Sequence, residues 1–238
     1  MFGGKNKALT FSYDDGVTQD VRLIEIFNKY GLRATFNLNS GLLGKPGSLL
    51  RDGATVSHDK NKAEDVRYIY EGHEVAAHTL THPSLPRIKN DAEVIRQVEE
   101  DRIALSELVG YEVKGMAYPG GGENFDARVA KLIAENTPIE YARTVGVTHS
   151  FEPCLDFYGY KGTLYHHADF EMLFEMGRKF LEMPASTPQI FYIWGHAYEF
   201  DIYPERWQMF EEFCKMMSGK SDIFYGTNIE IVNKIKKP

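Results

Sequence analysis

Cysteine is nearly missing: Cys154 and Cys214 are the only two in 238 residues. With no dense spacing pattern they build no disulfide framework, and both read as thiols packed in or near a core. A long apolar run is missing as well, so no membrane-spanning helix and no membrane partner are expected. Met1-Phe2-Gly3-Gly4-Lys5-Asn6-Lys7 runs almost at once into a strand-like stretch and leaves no room for the apolar centre of a signal peptide, so the expected location is cytoplasmic. Positive charge is in deficit. Lys and Arg total 27 against 34 Asp and Glu, a net charge of -7, which argues against a nucleic-acid partner because such partners demand a basic face. A neutral or cationic sugar stays compatible with that balance. Linkers and internal repeats are also lacking, so residues 1–238 are expected to form one domain. No feature of the chain predicts an oligomeric state.

What is present is the composition of a globular protein, 43% hydrophobic and 26% charged. A chain of this length buries roughly 70–75% of its unfolded surface. Apolar strand-like runs at 8–13, 34–38, 74–77, 113–117, 141–145, 190–194 and 223–225 alternate with helical patterns at 18–30, 90–109, 125–135, 169–181 and 204–217. That alternation predicts the α/β class, with βα units around a parallel sheet or barrel. Val21, Ile24 and Phe27 are expected on the core face of the first helix, and Val94, Ile95, Val98, Ile103 and Leu105 on that of the second. Asn90 with Glu93 reads as a capping box, and Gly110 as the stop. Residues 40–62, rich in Gly, Lys, Asp and Asn, read as a long loop or an irregular excursion.

Chemistry-bearing residues collect where strands end. Leu9-Thr10-Phe11-Ser12-Tyr13-Asp14-Asp15-Gly16 closes the first strand with two carboxylates, and His78-Thr79-Leu80-Thr81-His82 follows the third. One carboxylate and two imidazoles suit a catalytic metal site, and the surplus carboxylate suits a base that takes a proton from water. His196 follows the apolar run Phe191-Tyr192-Ile193-Trp194-Gly195 to the same rim. Each signal alone is weak, since Asp-Gly also makes turns. Their convergence on the C-terminal strand ends, the usual mouth of an α/β site, points to an enzyme. Trp194, Tyr198 and Glu199 could line a sugar site, although Trp194 inside an apolar run also fits the core. His58, His73, His149, His166 and His167 receive no role from the sequence.

Taken in order, Thr10-Phe11-Ser12-Tyr13-Asp14-Asp15-Gly16, His78-Thr79-Leu80-Thr81-His82, Met116-Ala117-Tyr118-Pro119-Gly120-Gly121 and Ile193-Trp194-Gly195-His196 resemble the motifs of the polysaccharide deacetylases, the NodB-homology domain of carbohydrate esterase family 4. The resemblance implies a single-domain distorted (β/α) barrel of about seven parallel strands. It also implies a divalent metal on Asp15, His78 and His82, with Asp14 as base, His196 as acid to the leaving amine, and the Gly120 N–H as oxyanion donor. Zinc is the expected ion, with cobalt, nickel, manganese and iron(II) also suited to that donor set. The expected activity is removal of N-acetyl or related acyl groups from an amino sugar, oligosaccharide or polysaccharide. An amidohydrolase acting on a small non-sugar C–N bond is the alternative, and so is an inactive carbohydrate-binding relative. Tyr118 joins Trp194, Tyr198 and Glu199 as a substrate-binding candidate. One departure stands out: Ala117 occupies the place of the arginine that orients the base in relatives. Arg143, on the next strand, is the candidate replacement.

Overall fold

The computed structural model describes residues 1–237. Its strands are β1 (Lys7–Asp14), β2 (Ala34–Leu38), β3 (Ser48–Arg51), β4 (Ala54–Ser57), β5 (Glu74–Ala77), β6 (Gly115–Ala117), β7 (Tyr141–Val147), β8 (Tyr160–Gly162), β9 (Leu164–Tyr165), β10 (Gln189–Gly195) and β11 (Ile223–Tyr225). Its helices are α1 (Asp20–Lys29), α2 (Val66–Ile69), α3 (Asp91–Val109), α4 (Ala127–Asn136), α5 (Phe170–Glu182), α6 (Glu199–Ile202), α7 (Glu205–Met217) and α8 (Asn228–Lys236). The main sheet is parallel throughout, in the order β8-β7-β6-β5-β2-β1-β10-β9, with β11 beside the start of β1.

The two ends of that order are one piece of chain. β8 pairs with β7, β9 pairs with β10, and only Thr163 separates β8 from β9; its N–H donates to Tyr192 O at 2.7 Å. The stretch 160–165 therefore bridges both ends and closes a ring. Counted with it as one strand, the ring runs β1, β2, β5, β6, β7, 160–165 and β10, which makes seven.

Period-two alternation along β1 explains its two environments. Leu9, Phe11 and Tyr13 face the helices and join the larger core with Phe27 and Phe210. Thr10 bonds Asn228, and Ser12 accepts from Asn37, so the inward positions are polar. A smaller apolar cluster that includes Tyr141, Tyr160, Tyr192 and Trp194 packs with Ile231 and Val232 of α8. Beside it, Glu74 accepts from Thr35, Tyr141 and the Ile229 N–H, and burial pushes its pKa up to about 7.

Several sequence expectations need correcting. Val21 and Ile103 are exposed, because the apolar stripes of α1 and α3 run instead through Leu23, Ile24, Ile26 and Phe27, and through Val94, Val98 and Leu105; Ile95 is half-buried. Asn90 caps α3 by accepting from the Ala92 N–H, but Glu93 is drawn to Arg96 and Gln97, so no capping box forms there. Residues 40–62 are not a plain loop. They fold into the antiparallel hairpin β3–β4, turned at Asp52-Gly53 with both residues at positive φ, 50° and 79°. Such a two-residue turn fits the twist of the strands it joins. A capping box does form where none was expected, at Thr227 and Glu230 ahead of α8.

Candidate active site

Parallel register delivers the candidate residues to one rim. Asp14 sits opposite Asn37 and Tyr13 opposite Gly195, while His78 directly follows β5. Asp15 (φ 84°), Thr79 (φ 66°) and His82 (φ 61°) all adopt left-handed backbone. Non-glycine residues rarely adopt this conformation, and it persists where surrounding structure overrides its cost. Here the surrounding bonds are visible. Asn39 donates to the carbonyls of His78 (2.5 Å) and Thr79 (2.9 Å), and Asp101 accepts from the N–H groups of Ser40 (2.6 Å) and His78 (2.9 Å). At Gly16 a Cβ would meet Leu38 Cδ2 at 2.8 Å, so the turn after the carboxylates needs glycine.

Asp15, His78 and His82 each offer a ligand atom within 4.8 Å of the others. Asp15 Oδ1 lies 3.8 Å from His78 Nε2 and 3.6 Å from His82 Nε2, while Oδ2 accepts from His58 Nε2 at 3.0 Å. His78 Nδ1 is 2.8 Å from Ala117 O. A carbonyl only accepts, so Nδ1 carries the proton and Nε2 keeps its lone pair for a ligand bond. Burial holds His78 down to about 4 and lowers His82 as well, so both imidazoles stay neutral. Burial opposes the charge on Asp15, but His58 and Lys60 outweigh it and hold that carboxyl well below the usual range. Lys60 Nζ also donates to Asp15 O at 2.7 Å.

Asp14 has different partners. Arg143 Nη2 straddles both its oxygens, at 2.5 Å from Oδ1, and Asn37 Nδ2 donates to Oδ1 at 2.8 Å. Burial again opposes ionisation, and Arg143 outweighs it, so Asp14 lies below its ordinary value. Arg143 is fully buried, and its guanidinium carbon lies 4.6 Å from the centre of the Trp194 ring. His196 Nε2 is 3.9 Å from Asp14 Oδ2, and its Nδ1–H donates to Glu199 Oε1 at 3.0 Å.

A cavity of about 680 Å³ opens over these groups, and Asp14, Asp15, His78, His82, Gly120, Trp194, His196 and Tyr198 are all on its wall. Tyr118 and Glu199 are not, which corrects their expected contact with a sugar. Tyr118 turns inward, donating its hydroxyl to Tyr158 O and stacking on Phe125. Glu199 is fully buried beneath His196, where it also accepts from the His196 N–H and from Tyr165 Oη and pairs with Arg51 at 3.2 Å. Trp194 combines both sequence readings: 4% exposed and stacked on Tyr165, it still reaches the cavity.

Sequence reasoning missed His58, Lys60, Arg51 and Tyr165, all on the cavity wall. The first three belong to the hairpin and the irregular segment that follows it, and the signal for that hairpin is Asp52-Gly53 between short apolar runs. His166, also missed, is buried 3.3 Å from Glu199 and fills the space beside Gly195, where a Cβ would come within 1.8 Å of its ring. His73 is structural, bonded to the Ala34 N–H and facing Asn28. No helix among the described residues is long and apolar enough to cross a membrane.

Comparison with known proteins bears on the fold and the family. The chain is 26% identical over 122 residues to the peptidoglycan-N-acetylglucosamine deacetylase PgdA of Listeria monocytogenes, a match covering 50% of this chain and 22% of that protein. The chain thus spans about a fifth of the length of that curated relative. The fold is shared with a probable polysaccharide deacetylase from Pseudomonas aeruginosa PAO1, at TM-score 0.70 and 13% identity over 97% of this chain and 91% of that one. It is shared also with a family 4 carbohydrate esterase from Streptomyces lividans, at TM-score 0.56 and 14% identity over 94% and 92% of the two chains. A family model described as polysaccharide deacetylase matches residues 3–142, more than half of the 238, and the chain belongs to that family.

Proposed function

We propose that the chain is a metal-dependent hydrolase that removes an N-acetyl or related acyl group from an amino sugar or polysaccharide, with residues 1–238 working as one catalytic domain. The observation that carries this reading is the separation of two neighbouring carboxylates. Asp15 shares a donor cluster with His78 and His82, while Asp14 is bonded to Arg143 and lies toward His196. The donor set suits a divalent ion: two neutral imidazoles, one with its outer nitrogen already bonded to a carbonyl, and one ionised carboxylate. Zinc fits this set, as do cobalt, nickel, manganese and iron(II).

Asp15, His78 and His82 would hold the ion, which would supply Lewis acidity toward an acyl carbonyl and a water. The remaining steps belong to the chain. Asp14, kept ionised by Arg143, takes a proton from that water as its oxygen bonds the carbonyl carbon. Gly120, on the cavity wall, is the residue whose N–H is assigned to the oxygen on which negative charge develops. His196, whose charged form Glu199 favours, gives its Nε2 proton to the nitrogen as the C–N bond breaks, leaving a carboxylic acid and a free amine.

Metal analysis followed by acetate release from N-acetylglucosamine oligomers tests the reading. Wild-type protein should bind one divalent ion and release acetate. Asp15→Asn should lose the ion, whereas Asp14→Asn should keep it and lose turnover. Metal-loaded protein that releases nothing from acetylated or formylated sugars would count against a hydrolase and favour a binding protein.

A further inference from the structure

The chain carries a net charge of -7, yet its cavity wall is cationic. Besides Asp14 and Asp15, the lysine and arginine side chains there are Lys45, Arg51 and Lys60, all from the excursion that includes the β3–β4 hairpin. Both carboxylates are already committed, Asp14 to Arg143 and Asp15 to His58, Lys60 and the histidine pair. A ligand lying beyond them therefore meets positive charge.

Arg51 is fixed rather than free. Its Nη1 donates to Tyr198 Oη at 3.1 Å and lies 3.2 Å from Glu199 Oε1, and its Nη2 donates to Tyr165 Oη at 2.5 Å. Three contacts leave part of a five-donor guanidinium without a partner, and its side chain is 34% exposed on the cavity wall. A guanidinium locked in place loses little entropy on binding and matches the oxygens of a carboxylate or phosphate. Lys45 is exposed at the same wall and makes no ion pair or side-chain hydrogen bond among the described residues. Glu199, buried behind the wall, balances Arg51 only in part because His196 shares it, and nothing balances Lys45, so a neutral sugar covering the two would strip their water and return no countercharge.

We propose that Arg51 and Lys45 form an anion subsite, so that the substrate is an N-acylated sugar bearing a carboxylate or phosphate close to its acyl group. This rests on the deacetylase reading for the reacting end of the cavity, but its test is one of binding. The probes are N-acetylmuramic acid for the carboxylate, N-acetylglucosamine 6-phosphate for the phosphate, and N-acetylglucosamine as the neutral reference. Calorimetry on zinc-loaded Asp14→Asn full chain should find one anionic probe bound at least about tenfold tighter than the neutral sugar, with the preference shrinking as salt rises. Adding Lys45→Glu, on an exposed side chain that folding does not need, should abolish the preference, and Arg51→Gln should do the same. Neutral N-acetylglucosamine binding as tightly as both anions, or no measurable binding of either anion, overturns the subsite. Turnover of the same sugars by wild-type protein separates the two ideas: anion preference without acyl release would sink the hydrolase and leave the subsite standing.

Discussion

Glu199→Gln removes the charge beneath His196 while keeping the side chain's size. Glu199 is fully buried and is the meeting point of His196 Nδ1–H, the His196 N–H, Tyr165, Arg51 and His166. Burial alone would lower the His196 pKa, and Glu199 raises it above its ordinary value. Burial alone would raise Glu199, and His196 and His166 hold it well below the carboxylate range. The signs follow from linkage: the His196 contribution to stability is full below its ordinary 6.5 and is lost as pH rises through its raised folded value. The Glu199 contribution is full above its ordinary 4.5 and is lost as pH falls through its depressed folded value. The pair therefore stabilises fully only between about 4.5 and about 6.5.

A hydrogen bond to a charged group contributes about 1.5–3 kcal/mol. If that energy holds the imidazolium in place, the variant should lose about tenfold to about 150-fold in kcat. Because Glu199 is off the cavity wall, KM should move much less. The alkaline limb of the kcat profile should shift to lower pH, since His196 then gives up its proton more readily. Steady-state kinetics across pH, with thermal unfolding as a check on folding, is the assay. A folded variant with wild-type kcat and an unmoved alkaline limb would refute the assignment of His196 as a Glu199-supported acid.

Arg143→Ala strands Asp14 as a buried charge and should cost about 3–5 kcal/mol of stability in chemical denaturation, as well as most of the turnover. Arg143→Lys should recover part of both; full activity in the alanine variant would remove Arg143 from any role toward the base. Gly195→Ala puts a methyl group 1.8 Å from the His166 ring, so the variant should melt lower and lose activity together as Trp194 and His196 are displaced. Glu74, pushed up to about 7 by burial, binds a proton in the folded chain that the unfolded chain releases near 4.5, so stability should fall as pH rises between those values. Glu74→Gln should flatten that slope, worth up to about 3 kcal/mol, in urea titrations at pH 5 and pH 8.

Short apolar-rich strands were the most legible part of the chain. The runs at 34–38, 74–77 and 223–225 coincide with β2, β5 and β11; β2 and β5 are buried along their whole length, and their polar Asn37 and Glu74 are bonded within the fold. The 160–165 stretch could not be read this way. It is short, interrupted at Thr163, and becomes a strand only by pairing with neighbours on either side. α8 was missed despite Thr227 and Glu230, a cap whose sequence pattern is local and readable.

The same division runs through the site. Asp14, Asp15, His78 and His196 could be picked out because each directly ends or follows a strand. Asp52-Gly53 marks the hairpin turn, but no local pattern encodes that the hairpin brings Arg51, and the segment after it His58 and Lys60, to the cavity wall. Glu199 was assigned to sugar hydroxyls, yet its spacing of three from His196, at the start of a short helix, already placed the two within bonding distance.

Closure of the ring by 160–165 and β10 has a consequence for how the chain matures. One edge of β1 finds its partner in β10 only when a segment more than 170 residues away has been made, for Lys7 pairs with Gln189. While the chain is being synthesised, Asp14, Asp15, His78 and His82 can all emerge before Arg143, and well before the strand that seals the ring. The half that carries Asp15, His78 and His82 would therefore be exposed first as an open sheet with a bare edge along β1. Such an edge invites pairing with other chains, and pairings this distant in sequence form slowly. Chains interrupted after residue 142 would retain that edge permanently, so aggregation, more than loss of activity, should mark them.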